Sequence, residues 1–235
     1  MNALDMMAKV AALIEHGGIH GTFAGGTALA ALVDEVSRED LRPTQDVDVI
    51  VHASNYSEYQ AECAKLMRVG FQPGMEDGDP ICRFRGVGLV VDLMPTPYTG
   101  MGTDNRWFAL ALASADWVAL PGGLRVRVVL APVYLASKIT AFESRGAGDL
   151  LLSKDFEDIV SLVDGRGSLV TEVAEAPAEV TMFVATWCKK LLERRWLSDA
   201  VSGHVSRASG LGRTEIVMAR LQELAVLALD SSAGP

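Results

Sequence analysis

The chain has 235 residues, with 21 Lys and Arg against 30 Asp and Glu, a formal charge of −9. Apolar residues make up 49% and charged residues 22%, the balance of a chain that buries a core, which excludes the disordered, collagen-like and disulfide-scaffold classes. The acidic balance also argues against non-specific coating of DNA, which needs a net basic surface.

Three cysteines, Cys63, Cys82 and Cys188, are an odd number at wide spacing. They suit neither a disulfide framework nor a zinc site, and they point to reduced, packed thiols and the cytosol. The opening MNALDMMAKV has no basic stretch ahead of an apolar one, so no signal peptide is expected. The uncharged run from His16 to Val33 is long enough to test as a membrane span, but its five glycines and two histidines rule it out. No contact with a membrane is expected.

In chain order, apolar spacing predicts a helix over 3–15, stopped by Gly17-Gly18. A short strand, His20–Ala24, runs into Gly25-Gly26 and a helix starting at Thr27. Pro43 precedes a strand over Asp46–His52, then a helix over 55–69 and a turn over 73–80. ICRFRG and VGLVVDLMP read as a hairpin, and WVAL and LRVRVVL, joined by Pro121-Gly122-Gly123, as a second. From Pro132 the pattern is helical: 132–144, 154–164, segments around 168–195, and 213–229. The fold class is therefore α/β (α+β), a mixed-sheet domain over 1–131 and a helical domain over 132–235 whose loops feed the same site.

Three features carry chemistry. In QDVDVIV, Asp46 and Asp48 are two residues apart on a strand and share a face. Parallel carboxylates repel, and a divalent ion such as Mg²⁺ relieves them; an Asp face open to water is the plain alternative. The Gly25-Gly26-Thr27 turn, between strand and helix, aims backbone N–H groups at an anion, or is simply a glycine turn capped by Thr27. Asp92 stands alone in the apolar run LVVDLM and should be paired or bind something, unless it merely ends a strand.

Together, a Gly-Gly turn into a helix, Asp-x-Asp on a strand and a later strand Asp resemble the DNA polymerase β nucleotidyltransferase superfamily. Within it the chain resembles the AbiEii-type (MenT-like) nucleotidyltransferase toxins. The residues that carry this are GGTALA at 25–30, Arg42-Pro43-Thr44-Gln45-Asp46-Val47-Asp48, and the block of Lys138, Arg145, and Lys154-Asp155-Phe156-Glu157-Asp158-Ile159. The resemblance spans residues 15–165; the last 70 residues lie outside it. It implies a mixed-sheet nucleotidyltransferase domain, an NTP substrate, a cognate antitoxin, and tRNA or another RNA as acceptor. Asp46, Asp48 and Asp92 would hold two Mg²⁺ ions, one activating the attacking oxygen and one holding the triphosphate. Gly25, Gly26, Thr27, Arg42 and Thr44 would bind the nucleotide. Lys138 and Arg145, on one side of a helix, would reach its phosphates, with Asp155 and Asp158 joining the site.

The same chemistry on a cationic small molecule such as an aminoglycoside, or on a protein hydroxyl, fits the acidic charge. A nucleotide-binding module without turnover is a further alternative, opposed by the intact carboxylates. For an RNA, residues 187–213 are the expected dock. Six basic residues there (Lys189, Lys190, Arg194, Arg195, Arg207, Arg213) face two acidic ones (Glu193, Asp199), whereas residues 1–60 carry three basic and nine acidic.

Overall fold

A computed structural model describes residues 1–99, 105–145, 149–205 and 212–230. The chain folds as two compact units, one of residues 1–31 and 42–130, the other of 32–41 and 131–235. The first is α/β with a mixed sheet and the second is helical, the architecture expected from the sequence.

The sheet unit holds seven strands: β1 Gly21–Ala24, β2 Val47–Ala53, β3 Gln72–Pro73, β4 Arg83–Gly86, β5 Leu89–Pro97, β6 Asp116–Ala119 and β7 Arg125–Val128. Their order across the sheet is β3-β4-β5-β2-β1-β7-β6. The pairs β2/β5 and β1/β7 are parallel and the rest antiparallel. Strand β2 is central, and its Val47, Val49, Val51 and Ala53 are all buried. They share one face, as period-2 alternation requires.

Its helices are α1 Ala3–His16, α2 Gly25–Leu32, α3 Tyr56–Arg68 and α4 Phe108–Ser114. Two begin on asparagine caps. Asn2 accepts from the Asp5 amide and Asn55 from the Glu58 amide, each satisfying an N–H that the first turn leaves open. Helix α4 is an addition to the elements expected from sequence. FALALAS has no polar face to set a period, and its first turn lacks a side-chain cap. Strand β2 starts at Val47, which leaves Asp46 just ahead of it, and α2 starts at Gly25 rather than Thr27.

The helical unit comprises α5 Ala131–Arg145, α6 Lys154–Gly165, α7 Leu169–Ala174, α8 Ala178–Leu192, α9 Leu197–His204 and α10 Arg213–Asp230. It also takes in a 3₁₀ turn over Glu35–Asp40. That excursion is tied down by backbone and side chain. The Asp34 amide donates to Gly165 O at 2.8 Å, and the Gly167 amide donates to the Asp34 carboxylate at 3.1 Å. The core stacks Phe142 against Phe156 and edge-on to Trp187, and the Trp187 indole donates to Glu143 at 2.7 Å. Among the described residues no helix is long and apolar enough to cross a membrane.

Candidate functional site

Strand register assembles the first cluster. Arg83 on β4 is the Cα partner of Asp92 on β5, Asp92 pairs with Asp48 on β2, and Asp48 pairs with Ala24 on β1. One transverse row thus crosses four strands and ends where Gly25 turns into α2. Asp46 joins Asp48 by the i, i+2 relation.

Arg83 is the residue that sequence reasoning missed. Its Nε donates to Asp92 Oδ1 at 2.8 Å and its Nη2 to Asp92 Oδ2 at 2.7 Å, a two-pronged fork. The same Nη2 also lies 2.7 Å from Asp46 Oδ2. One guanidinium therefore bridges two of the three expected carboxylates, and Asp79 stands 3.8 Å behind it. The signal was legible: counting back from the Val87-Gly88 turn places Arg83 opposite Asp92. What hid it is Val87, whose φ of +48° is the left-handed conformation that β-branched residues rarely adopt.

Asp48 is packed against the glycine turn. A Cβ on Gly25, which has φ +61°, would lie 1.7 Å from Asp48 Oδ2. Only glycine serves here, on both backbone and steric grounds. A Cβ on Gly26 would meet Thr44 Oγ1 at 2.8 Å. The Thr44 hydroxyl lies 3.3 Å from Asp46 Oδ1, so the Arg42–Asp48 segment packs directly on the glycine turn. Arg42 is half-buried at its start. Thr27 departs from expectation: it is fully buried inside α2, with its hydroxyl 3.5 Å from Ala24 O. Its side chain packs inside the first turn of α2.

Cys82, next to Arg83, has its thiol pushed up to about 12, chiefly by burial and then by the charges of Asp92 and Asp48. Cys63 and Cys188 are also buried and free, with thiols raised by burial. The nucleophilic thiolate is suppressed at all three.

The second cluster lies in the helical unit. Lys138 Nζ on α5 is 2.6 Å from Asp158 Oδ2 and 3.1 Å from Asp155 Oδ1 on α6. Arg145 forks onto Asp155, with Nε to Oδ2 at 2.8 Å and Nη2 to Oδ1 at 3.1 Å. Ser153 caps α6 and aims Asp155 and Asp158 inward. Burial opposes the charge on Asp155, but the Arg145 hydrogen bonds and Lys138 outweigh it and hold the carboxyl below its usual range. Both cations that the resemblance directs toward phosphate thus engage buried carboxylates of their own unit.

Of the basic segment 187–213, Lys189, Lys190, Arg194 and Arg195 are exposed at the end of α8. Arg213 is tied to Asp164 at 2.5 Å, which takes it out of a free basic surface. Arg207 lies outside the described residues.

No family model and no curated protein matches this chain. Solved structures similar to it include an antigenic nucleotidyltransferase-like protein from Paracoccidioides brasiliensis. It is 16% identical over 89% of this chain and 96% of that one, with a TM-score of 0.46. The antibiotic-resistance factor ANT(2'')-Ia is 14% identical over 97% of this chain and 95% of that one, at 0.41. The chemistry of the site is therefore drawn from its own residues.

The donor set suits a hard divalent ion. Asp46, Asp48 and Asp92 offer only oxygens, the chemistry Mg²⁺ takes, and the Asp46 side chain is 33% exposed and open to solvent. Gly25 leaves the room that the Asp48 carboxylate occupies. Among the described residues, no three His, Cys, Asp or Glu side chains stand grouped so as to hold a metal ion; Arg83 stands between Asp46 and Asp92 instead.

Proposed function

We propose that the chain is a Mg²⁺-dependent nucleotidyltransferase that moves a nucleotide from an NTP to an acceptor hydroxyl. The observation that carries this is the row Asp92–Asp48–Ala24–Gly25, which sets two carboxylates, with Asp46 beside them, against a glycine turn that opens a helix. Asp46 and Asp48 would hold the ion, with Asp92 completing the carboxylate group. The amides of Gly25 and Gly26 and the positive end of α2 would receive the triphosphate. Thr44 packs on that turn and Arg42 begins the same segment, while buried Thr27 positions the helix. The bound ion would supply charge to the α-phosphate and to the leaving pyrophosphate. The acceptor oxygen bonds the α-phosphorus, the bond to the α,β-bridging oxygen breaks, and the hydroxyl proton passes to a carboxylate of the group.

For the acceptor we propose an RNA, tRNA first, with the protein acting as the toxin of a bacterial toxin–antitoxin or phage-defence pair. The support is the resemblance in residues 15–165 and the exposed Lys189, Lys190, Arg194 and Arg195 in an otherwise acidic chain. The charge of −9 favours a second reading, a cationic small-molecule acceptor. Incubation with each labelled NTP and Mg²⁺, in parallel with total RNA and with an aminoglycoside, separates them. Label on RNA supports the first, label on an aminoglycoside alone supports the second, and no transfer with any NTP or acceptor defeats both.

A further inference from the structure

We infer that Arg83 takes the place of one of the two divalent ions, so that this site binds a single metal ion per nucleotide. The inference rests on the nucleotidyltransferase reading and narrows it.

Arg83 sits where a bridging cation would. Its Nη2 is 2.7 Å from an oxygen of Asp46 and 2.7 Å from an oxygen of Asp92, and its Nε takes the other Asp92 oxygen at 2.8 Å. Two carboxylates joined through one positive group is the arrangement a bridging ion makes. A guanidinium and a divalent ion do not share that space, because like charges at such a separation repel strongly in a half-buried site.

The arginine is also a resident of the site. Its backbone is fixed on both sides: its amide donates to Pro80 O at 2.9 Å and its carbonyl accepts from Gly74 at 2.7 Å. Its side chain is only 21% exposed, with Asp79 behind it. A guanidinium keeps its proton at any working pH, so the charge is permanent. A lysine would be a point charge without the fork that spans both oxygens of Asp92.

The retained ion would be held by Asp48, packed on Gly25, and by Asp46 Oδ1, 3.3 Å from the Thr44 hydroxyl that packs on Gly26. Both lie toward the glycine turn, the side assigned to the triphosphate. The ion retained is therefore the nucleotide's own, and the acceptor hydroxyl reacts without a second ion beside it.

The test is a count of Mn²⁺, read from the electron paramagnetic resonance of the free ion, on the full chain saturated with α,β-methylene analogues of the four NTPs, tried singly. One Mn²⁺ per protein–nucleotide complex is expected in the wild type, and two in Arg83→Gln, which keeps a polar side chain without charge. Arg83→Lys, still cationic, should stay at one. Two ions in the wild type overturn the inference and leave the nucleotidyltransferase reading standing, as does one ion in both the wild type and a folded Arg83→Gln. The wild-type count decides even if Arg83→Gln does not fold. Absence of both nucleotide and Mn²⁺ binding in the wild type overturns the nucleotidyltransferase reading itself.

Discussion

The two polar clusters differ in composition and in wetness. On the sheet, three carboxylates line one face around a guanidinium, and Asp46 keeps a third of its side chain in solvent. Between α5 and α6, two cations meet two carboxylates, and Asp158 is 1% exposed. A solvent-reached carboxylate such as Asp46, in a cluster rich in one sign, can exchange its partner for a ligand; the dry Lys138–Asp158 pair, with side chains 13% and 1% exposed, is costly to open, because each charge taken out of water depends on the other. The first has the physics of a binding site and the second that of a clasp. Substitutions in the first should therefore cost function more than stability, and in the second the reverse.

The largest expected effect is at Asp48. Asp48→Asn should lower nucleotide transfer by about a thousandfold, since metal charge stabilisation is worth several kcal/mol. Removing one of several neighbouring like charges should leave the metal-free melting temperature unchanged or higher. Label incorporation and calorimetry on the same preparation check both. Near-normal transfer in Asp48→Asn would break the comparison at its stronger end.

Lys138→Ala should do the opposite. It leaves Asp158 buried without the ammonium 2.6 Å away, and stripping one partner from a buried pair costs about 3–5 kcal/mol. Urea unfolding should show that loss, and Lys138→Met with Asp158→Leu should recover much of it. A Lys138→Ala protein with unchanged stability and abolished transfer would move this cluster out of the clasp class.

The mixed sheet, the helical half and most elements were legible because hydrophobic period and glycine or proline punctuation agree with the final fold, as at α6, whose bounds are expected within a residue. Asp46, Asp48 and Asp92 were legible because acids in apolar strands are costly and stand out. What escaped depends on register. Arg83 looks like any basic residue in a hairpin until a turn with a left-handed valine is counted correctly. The excursion of Leu32–Leu41 into the helical unit depends on hydrogen bonds to Gly165 and Gly167, more than 130 residues away, which no local pattern carries. Lys138 and Arg145 were correctly placed on one side of a helix, but their carboxylate partners set what they do first.

Gly25→Ala sharpens the comparison inside the sheet unit. Alanine at φ +61° costs about 1–2 kcal/mol, and its Cβ would force the Asp48 carboxylate from its place. Stability should fall by that modest amount, whereas Mn²⁺ and NTP affinity should fall more than tenfold. Measuring both by titration and urea unfolding separates strain from lost geometry. Equal small losses would mean that Asp48 is not held by the turn.

The smallest effect expected is a pH dependence, and it belongs to the clasp. The Asp155 carboxyl is held below its usual range: burial pushes against that, but the fork from Arg145 and the charge of Lys138 prevail. A carboxyl depressed in the folded state binds fewer protons there than in the unfolded chain, so its contribution is complete above the unfolded value of about 3.9. It fades as pH falls through that value toward the lower folded one. Asp155→Asn should therefore be less stable than wild type at pH 7, with a gap that narrows between roughly pH 5 and pH 2. Glu172 is also depressed, burial opposing and the Arg166 and Ser168 hydrogen bonds prevailing, as are Glu58, Asp79 and Asp149, so the wild-type curve alone would mix them all. The difference between wild type and Asp155→Asn isolates Asp155. Because Arg145 is 69% exposed, water screens its share, and the gap at neutral pH should be smaller than the loss in Lys138→Ala. A gap that stayed constant across that range would mean that Asp155 contributes through packing alone, and that the charge balance of the clasp rests on Lys138 and Asp158.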